Sequence, residues 1–206
     1  MAGPTKKELR RDHILAAAQA VAAREGAGAA TLRAIASEAG MAPNAVLYYF
    51  GGLAEIEAAA VQASSDRFLQ SLAEAVESGA GPTARLAAAL QAGISGGLED
   101  DASRILYEYR SHSLRNAELR CIQEEFTRAQ QSNYEGIIAE GIASGEFHPV
   151  LAPADIARIM VAQEDGLVMD VLSGVASSRD VFELNARLAA VLLAVDPAML
   201  LEAART

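Results

Sequence analysis

The chain predicts an all-α fold in two unequal parts, and three observations carry that expectation. First, 51% of its 206 residues are hydrophobic, alanine is the commonest, aromatic residues make up 5% and tryptophan is absent. Such a composition favours helix over a sandwich or barrel. Second, apolar residues recur at intervals of three and four almost from end to end. Third, charge is uneven: residues 1–52 hold six Lys and Arg against four Asp and Glu, net +2, so the remainder carries −12 and the total is −10. The only two lysines, Lys6 and Lys7, lie at the N-terminus. An acidic total ordinarily counts against nucleic-acid binding, but this distribution leaves the N-terminal part as a basic segment.

The elements follow in order. A first helix is expected over Thr5–Glu25, with Leu9, Leu15, Ala18, Val21 and Ala22 on one face and Gly26 as its stop. Thr31 offers a hydroxyl cap to a short helix, Leu32–Ala39, closed by Gly40, and Pro43 opens a third that ends near Phe50. A long helix is expected from Leu53 to about Glu77 and another through Leu86, Leu90 and Ile94, stopped by Gly96 and Gly97. Asp101–Ser113 is the next, with a break at Asn116. A long helix through Leu119, Ile122, Phe126, Ala129, Asn133 and Ile137 then closes at Gly145, Pro149 and Pro153. Two last helices, Ala154–Ser173 and Arg179–Val195, bring the expected total to about nine.

Both of those last helices are apolar on more than one side. Ile159, Leu167 and Val171 in the first, and Leu184, Leu188, Val191 and Leu192 in the second, exceed the stripe one core covers. They are expected either at the centre of a monomeric bundle or, as preferred here, at a two-fold dimer interface.

Residues 31–50 form two short helices around a glycine turn, the helix-turn-helix arrangement in which the second helix enters the major groove. Leu32, Ile35, Ala36, Ala39, Met41, Val46, Leu47 and Phe50 are expected to make its small core, leaving Arg33, Asn44, Ala45, Tyr48 and Tyr49 to face outward. Residues Ile14, Leu15, Ala17, Ala18, Gly26, Thr31, Arg33, Ile35, Ala36, Ala39, Gly40, Leu47, Tyr48, Tyr49 and Phe50 resemble, in order and spacing, the N-terminal domain of TetR-family transcriptional regulators. The stretch from Tyr107 to Gly174, with Asn116 to Arg120 and Gly145 to Phe147, is similar to a common variant of that family's second domain.

The resemblance implies a DNA-binding domain at 1–52 and a helical ligand-binding and dimerisation domain at 53–206. Two departures stand out. Ala22 and Ala27 replace aromatics usual in the family, and Leu53 replaces a lysine that reaches a phosphate at the start of the fourth helix.

Candidate DNA contacts divide into positioning and reading. Thr31 suits a phosphate or simply an N-cap, Arg33 a guanine edge or a phosphate, and Asn44 the N6 and N7 of adenine. Ala45 suits a thymine methyl, with Ala42 beside it, and Tyr48 and Tyr49 divide between phosphate and core. Lys6, Lys7, Arg10 and Arg11 form a basic arm that either follows the backbone or is solvated. The resemblance further assigns Tyr107, Tyr109, His112, Phe126, Gln130, Tyr134, Met160, Gln163, Glu164 and Met169 to helices lining a cavity for a mostly apolar small molecule. A homodimeric repressor of an inverted-repeat operator, released by such a molecule, is the expected function. A ligand-independent regulator or activator, or a helical carrier with a degenerate DNA-binding domain, is the alternative.

Other classes find little support. No apolar run reaches the roughly 18 residues of a membrane span, and the basic N-terminus is followed by no cleavable apolar core. Cys121 alone forms no internal disulfide, which fits a reducing, cytoplasmic setting. His13, His112 and His148 lie at no metal-ligand spacing and Cys121 has no evident base, so neither an enzyme nor a metal or other cofactor is expected.

Overall fold

The computed structural model describes residues 3, 5–96 and 101–205, which form eleven α-helices and no strand. Gly97, half of an expected stop, lies outside the described residues. The chain divides into two compact units, Met1–Arg67 with Asp100–Glu124, and Phe68–Glu99 with Glu125–Thr206.

In the first unit, α1 (Lys6–Glu25) starts at a capping box in which Thr5 and Glu8 satisfy each other's backbone N–H groups. Its buried face runs through Ile14, Ala17, Ala18, Val21 and Ala22. Leu9, expected on that face, is 55% exposed. It precedes Ile14 by five residues, about 140° around the helix, so it misses the stripe. A 3₁₀ turn at Ala27–Ala29 leads to α2 (Leu32–Glu38), and Gly40 at φ +63° makes the bend into α3 (Pro43–Tyr49). Val46 and Phe50 fill the inward positions of α3, four residues apart. Leu47, one step round the helix from Val46, is therefore exposed rather than core.

The N-terminal part of α4 (Leu53–Glu77) belongs to this unit, as do α6 (Asp101–Glu108) and α7 (Arg110–Ser113). The single helix expected over Asp101–Ser113 is thus two, because Tyr109 (φ −87°, ψ −3°) departs from helical ψ. α6 packs along α1, with Ile105 and Leu106 buried. Ala22 and Ala27, the positions lacking the family aromatics, are themselves buried.

The second unit has its core among α5 (Pro82–Gln91), the later part of α8 (Ala117–Ser144), α9 (Pro153–Leu172), α10 (Ser178–Leu193) and α11 (Pro197–Ala203). Leu86, Leu90, Ile138, Ile156, Ala186 and Leu193 are fully enclosed there. After α8, Gly145 at φ +77° turns the chain so that the N–H groups of Glu146 and Phe147 both reach the Gly141 carbonyl. Glu146 then accepts from the Thr83 N–H and hydroxyl, at 3.2 and 2.7 Å, tying this turn to the start of α5.

Helix α11 was not expected from the pattern, which ended at Val195. Its signal is local: Asp196 accepts the Ala198 N–H at 2.9 Å and Pro197 occupies the first helical turn. Among the described residues no helix is long and apolar enough to cross a membrane.

Candidate nucleic-acid interface

The Thr31 hydroxyl accepts the Ala34 N–H at 3.2 Å and so opens α2. Met41 N–H reaches the Ala36 carbonyl at 2.8 Å across the turn, and Pro43 sets the first turn of α3. This geometry leaves Thr31, Arg33, Ala42 and Asn44 exposed and Ala45 half-buried. Tyr48 is 78% exposed, while Tyr49 is half-buried and meets its ring edge-on at 5.1 Å. The two tyrosines divide as adjacent helical residues must. Lys6, Lys7 and Arg10 are exposed along the start of α1.

Arg11 is placed differently from its neighbours. Its guanidinium lies 3.9 Å above the centre of the Phe50 ring, donates to the Tyr49 carbonyl and reaches Glu55 at 3.2 Å. Glu55 also accepts the Gly51 N–H at 2.7 Å. That bond first, and Arg11 second, hold its carboxyl below the usual range. Arg11 and Glu55 thereby clamp the exit of α3 and the Gly51–Gly52 turn. Nothing local in the sequence announces a pair 44 residues apart. Arg24 is likewise engaged, 2.9 Å from Glu25 and 3.0 Å from Glu38. The cations of the basic segment outside these pairs are Lys6, Lys7, Arg10 and Arg33, all exposed. Leu53, half-buried, opens α4 without a charge.

The expected effector residues fall in both units. Phe126, Gln130, Tyr134, Met160 and Glu164 are buried in the second unit, where the Tyr134 hydroxyl donates to Glu164 at 2.6 Å. Burial pushes the Glu164 carboxyl up to about 8, with Asp165 adding to the rise and Tyr134 opposing it. Gln163 instead donates to Asn185 on α10, and Met169 is 50% exposed. Tyr107, Tyr109 and His112 belong to the first unit, where the Tyr109 and His112 rings meet edge-on at 5.3 Å. An open groove of about 410 Å³ in the second unit is lined by Ser78, Gly79, Ala80 and Ala84, by Ala88 and Gln91, and by Ala203 and Ala204 of the C-terminal segment. None of the expected effector residues lines it.

On α9 and α10, Ile159, Leu184, Leu188 and Val191 are exposed, and Leu167, Val171 and Leu192 are half-buried. Among the described residues no group of three or more His, Cys, Asp or Glu side chains is placed to hold a metal.

Three helices whose second and third meet at a glycine turn, with Asn44 and Tyr48 exposed on the third, form the helix-turn-helix arrangement that DNA-binding regulators use. The model of "bacterial regulatory proteins, tetR family" matches residues 14–60, and that of the "BetI-type transcriptional repressor, C-terminal" matches 82–194. The chain belongs to the TetR family of DNA-binding transcriptional regulators and is not an enzyme. It is 27% identical to the HTH-type regulator YfiR of Bacillus subtilis over 169 residues, 81% of this chain and 82% of that one. A TetR-family regulator from Rhodococcus sp. superposes with a TM-score of 0.80 at 26% identity, covering 90% of this chain and 99% of that one. The regulator FadR of Bacillus subtilis, solved with stearoyl-CoA, gives 0.70 at 25% identity over 84% of this chain and 96% of that one.

Proposed function

We propose that the protein is a homodimeric repressor that binds an inverted-repeat operator through residues 1–52 and leaves it when a small molecule enters the domain formed by residues 53–206. The observation that carries this reading is the outward set on α2 and α3: Arg33, Asn44 and Tyr48 are all exposed on a short helix pair, the first helix capped by Thr31 and the second opened by Pro43. Asn44 reads adenine, Arg33 a guanine edge or a phosphate, and Ala42 and Ala45 contact the groove floor. Thr31, Tyr48, Lys6 and Arg10 position the head on phosphates, with the half-buried Tyr49 ring packed edge-on against Tyr48.

Few cations per subunit make a single head weak, since each phosphate contact contributes one released counterion. Two heads on half-sites about one helical turn (~34–36 Å) apart supply the rest. The exposed row Leu184, Leu188 and Val191 on α10, with Ile159 on α9, supports pairing through these helices. A mostly apolar effector is supported by the buried Phe126, Gln130, Tyr134, Met160 and Glu164 and by the stearoyl-CoA held by FadR. α4 belongs to the first unit up to Arg67 and to the second from Phe68, so a shift in it is the route by which effector binding reaches the heads.

Selection of operators from random DNA tests the reading. A palindrome is expected, with Asn44→Ala and Arg33→Ala each losing discrimination at particular base pairs by about 1–3 kcal/mol. Failure to enrich any palindrome favours a helical carrier instead. An effector that saturates the protein and leaves operator affinity unchanged removes the switching part.

A further inference from the structure

The carboxylate of Glu108, at the end of α6, reaches the corner between α1 and α2. Its Oε2 accepts the Ala27 N–H at 3.3 Å. The same oxygen stands 3.4 Å from where a Cβ on Gly26 would lie, and Gly26 itself is at φ +87°. A side chain there would meet both a strained backbone and the carboxylate.

Ala27 opens the 3₁₀ turn. Three of the donors that follow are satisfied within the corner: Ala29 N–H by Gly26, Ala30 N–H by Ala27, and Thr31 N–H by Ala29 at 2.7 Å. The Ala27 N–H is satisfied by Glu108, from 81 residues away. Four residues after Ala27, Thr31 caps α2, so the corner sets the direction in which α2 and α3 leave α1. α6 lies inside the 82–194 segment matched by the C-terminal family model, yet it packs along α1 in the first unit.

We infer that Glu108 is a positioning residue for DNA recognition: its bond to the Ala27 N–H fixes the corner from which α2 and α3 are presented. The inference rests on the reading that those helices contact DNA. The carboxylate makes this 3.3 Å contact a charge-assisted bond to an N–H that meets no carbonyl of the corner. Its loss frees the corner rather than the helices, since α2 keeps its Thr31 cap, α3 its Pro43 first turn and both their buried residues.

The test uses the full chain and the operator recovered from random DNA with the unaltered protein. Glu108→Ala is expected to weaken operator binding about tenfold and to speed amide exchange at residues 27–30, while affinity for unrelated DNA and overall helicity stay as they are. Glu108→Gln, which keeps an acceptor oxygen, is expected to recover most of that loss. Gly26→Ala perturbs the same corner with Glu108 in place and is expected to weaken operator binding as well, which guards against a folding defect peculiar to position 108. Unchanged operator binding in Glu108→Ala, or an equal fall for operator and unrelated DNA, overturns the inference. If the unaltered protein enriches no operator, the DNA reading fails and this role fails with it. The two failures are therefore distinct.

Discussion

The Tyr134 hydroxyl donates to Glu164 Oε2 at 2.6 Å, and both side chains are buried in the second unit. Gly93 closes over the same carboxyl, since a Cβ there would stand 1.9 Å from Oε1. A hydroxyl and a glycine backbone bring no positive charge, so burial raises this carboxyl to about 8 from its ordinary 4.5. Between those two values the folded chain keeps a proton that the unfolded chain has released. Its stabilising effect is therefore complete below about pH 4.5 and is lost as pH rises towards about 8. Melting temperature followed across that range is expected to fall more steeply in the unaltered protein than in Glu164→Gln, which has no proton to lose. Parallel curves would show that Glu164 titrates normally.

Arg11 above Phe50 predicts a stability defect rather than a direct DNA defect. Removing its side chain deletes a cation over an aromatic ring, the donor to Tyr49 and the partner of Glu55. The site is partly exposed, so Arg11→Ala is expected to cost about 1–2 kcal/mol, read in chemical denaturation. Arg11→Lys keeps the charge but not the planar stack and is expected to recover less than half. An Arg11→Lys variant as stable as the unaltered protein would reduce the role of Arg11 to simple charge.

Gly141 and Phe147 form a close approach that packing alone explains. A Cβ at position 141 would stand 2.1 Å from the Phe147 ring, which folds back onto α8 after the Gly145 turn. Gly141→Ala is therefore expected to destabilise by about 1–3 kcal/mol through overpacking, despite the better helix propensity of alanine. Shortening the opposing side chain with Phe147→Leu in the same chain is expected to return part of that loss. If the double substitution is simply additive, the two positions do not share the strain.

What the sequence reveals and what it conceals follow from how far apart the interacting residues lie. Thr31, Gly40 and Pro43 act on their own helices, through a cap, a left-handed turn and a fixed φ, so the α2–α3 pair is legible from the chain alone. The break at Tyr109 and the extra α11 depend on one residue's ψ and on a one-turn cap, signals weaker than a long apolar period. Leu9 and Leu47 were expected inside because they are apolar, but angular position assigns those places to Ile14 and Val46. The pairings Arg11–Glu55, Glu108–Ala27 and Tyr134–Glu164 join distant segments and have no local period or motif to announce them.

The outer face of α10 gives the remaining prediction. Leu184, Leu188 and Val191 are spaced by four and three residues, so they form one stripe, and Val191 is 74% exposed. A row of this kind is costly to leave in water and is the usual mark of a helix that meets a partner. In a two-fold pair each substitution enters the interface twice, from opposite sides, so a charge placed there faces its own copy. Leu188→Glu with Val191→Glu is expected to yield monomers in sedimentation experiments and to weaken operator binding by at least an order of magnitude, because two heads no longer act together. The chain already carries −10, so added glutamates also raise general repulsion. Leu188→Lys with Val191→Lys separates the two effects, since it makes the chain less negative than −10 while still setting like charges against each other. Both variants are expected to be monomeric with their helicity intact; a lysine variant that remained dimeric would place the partner-binding surface elsewhere.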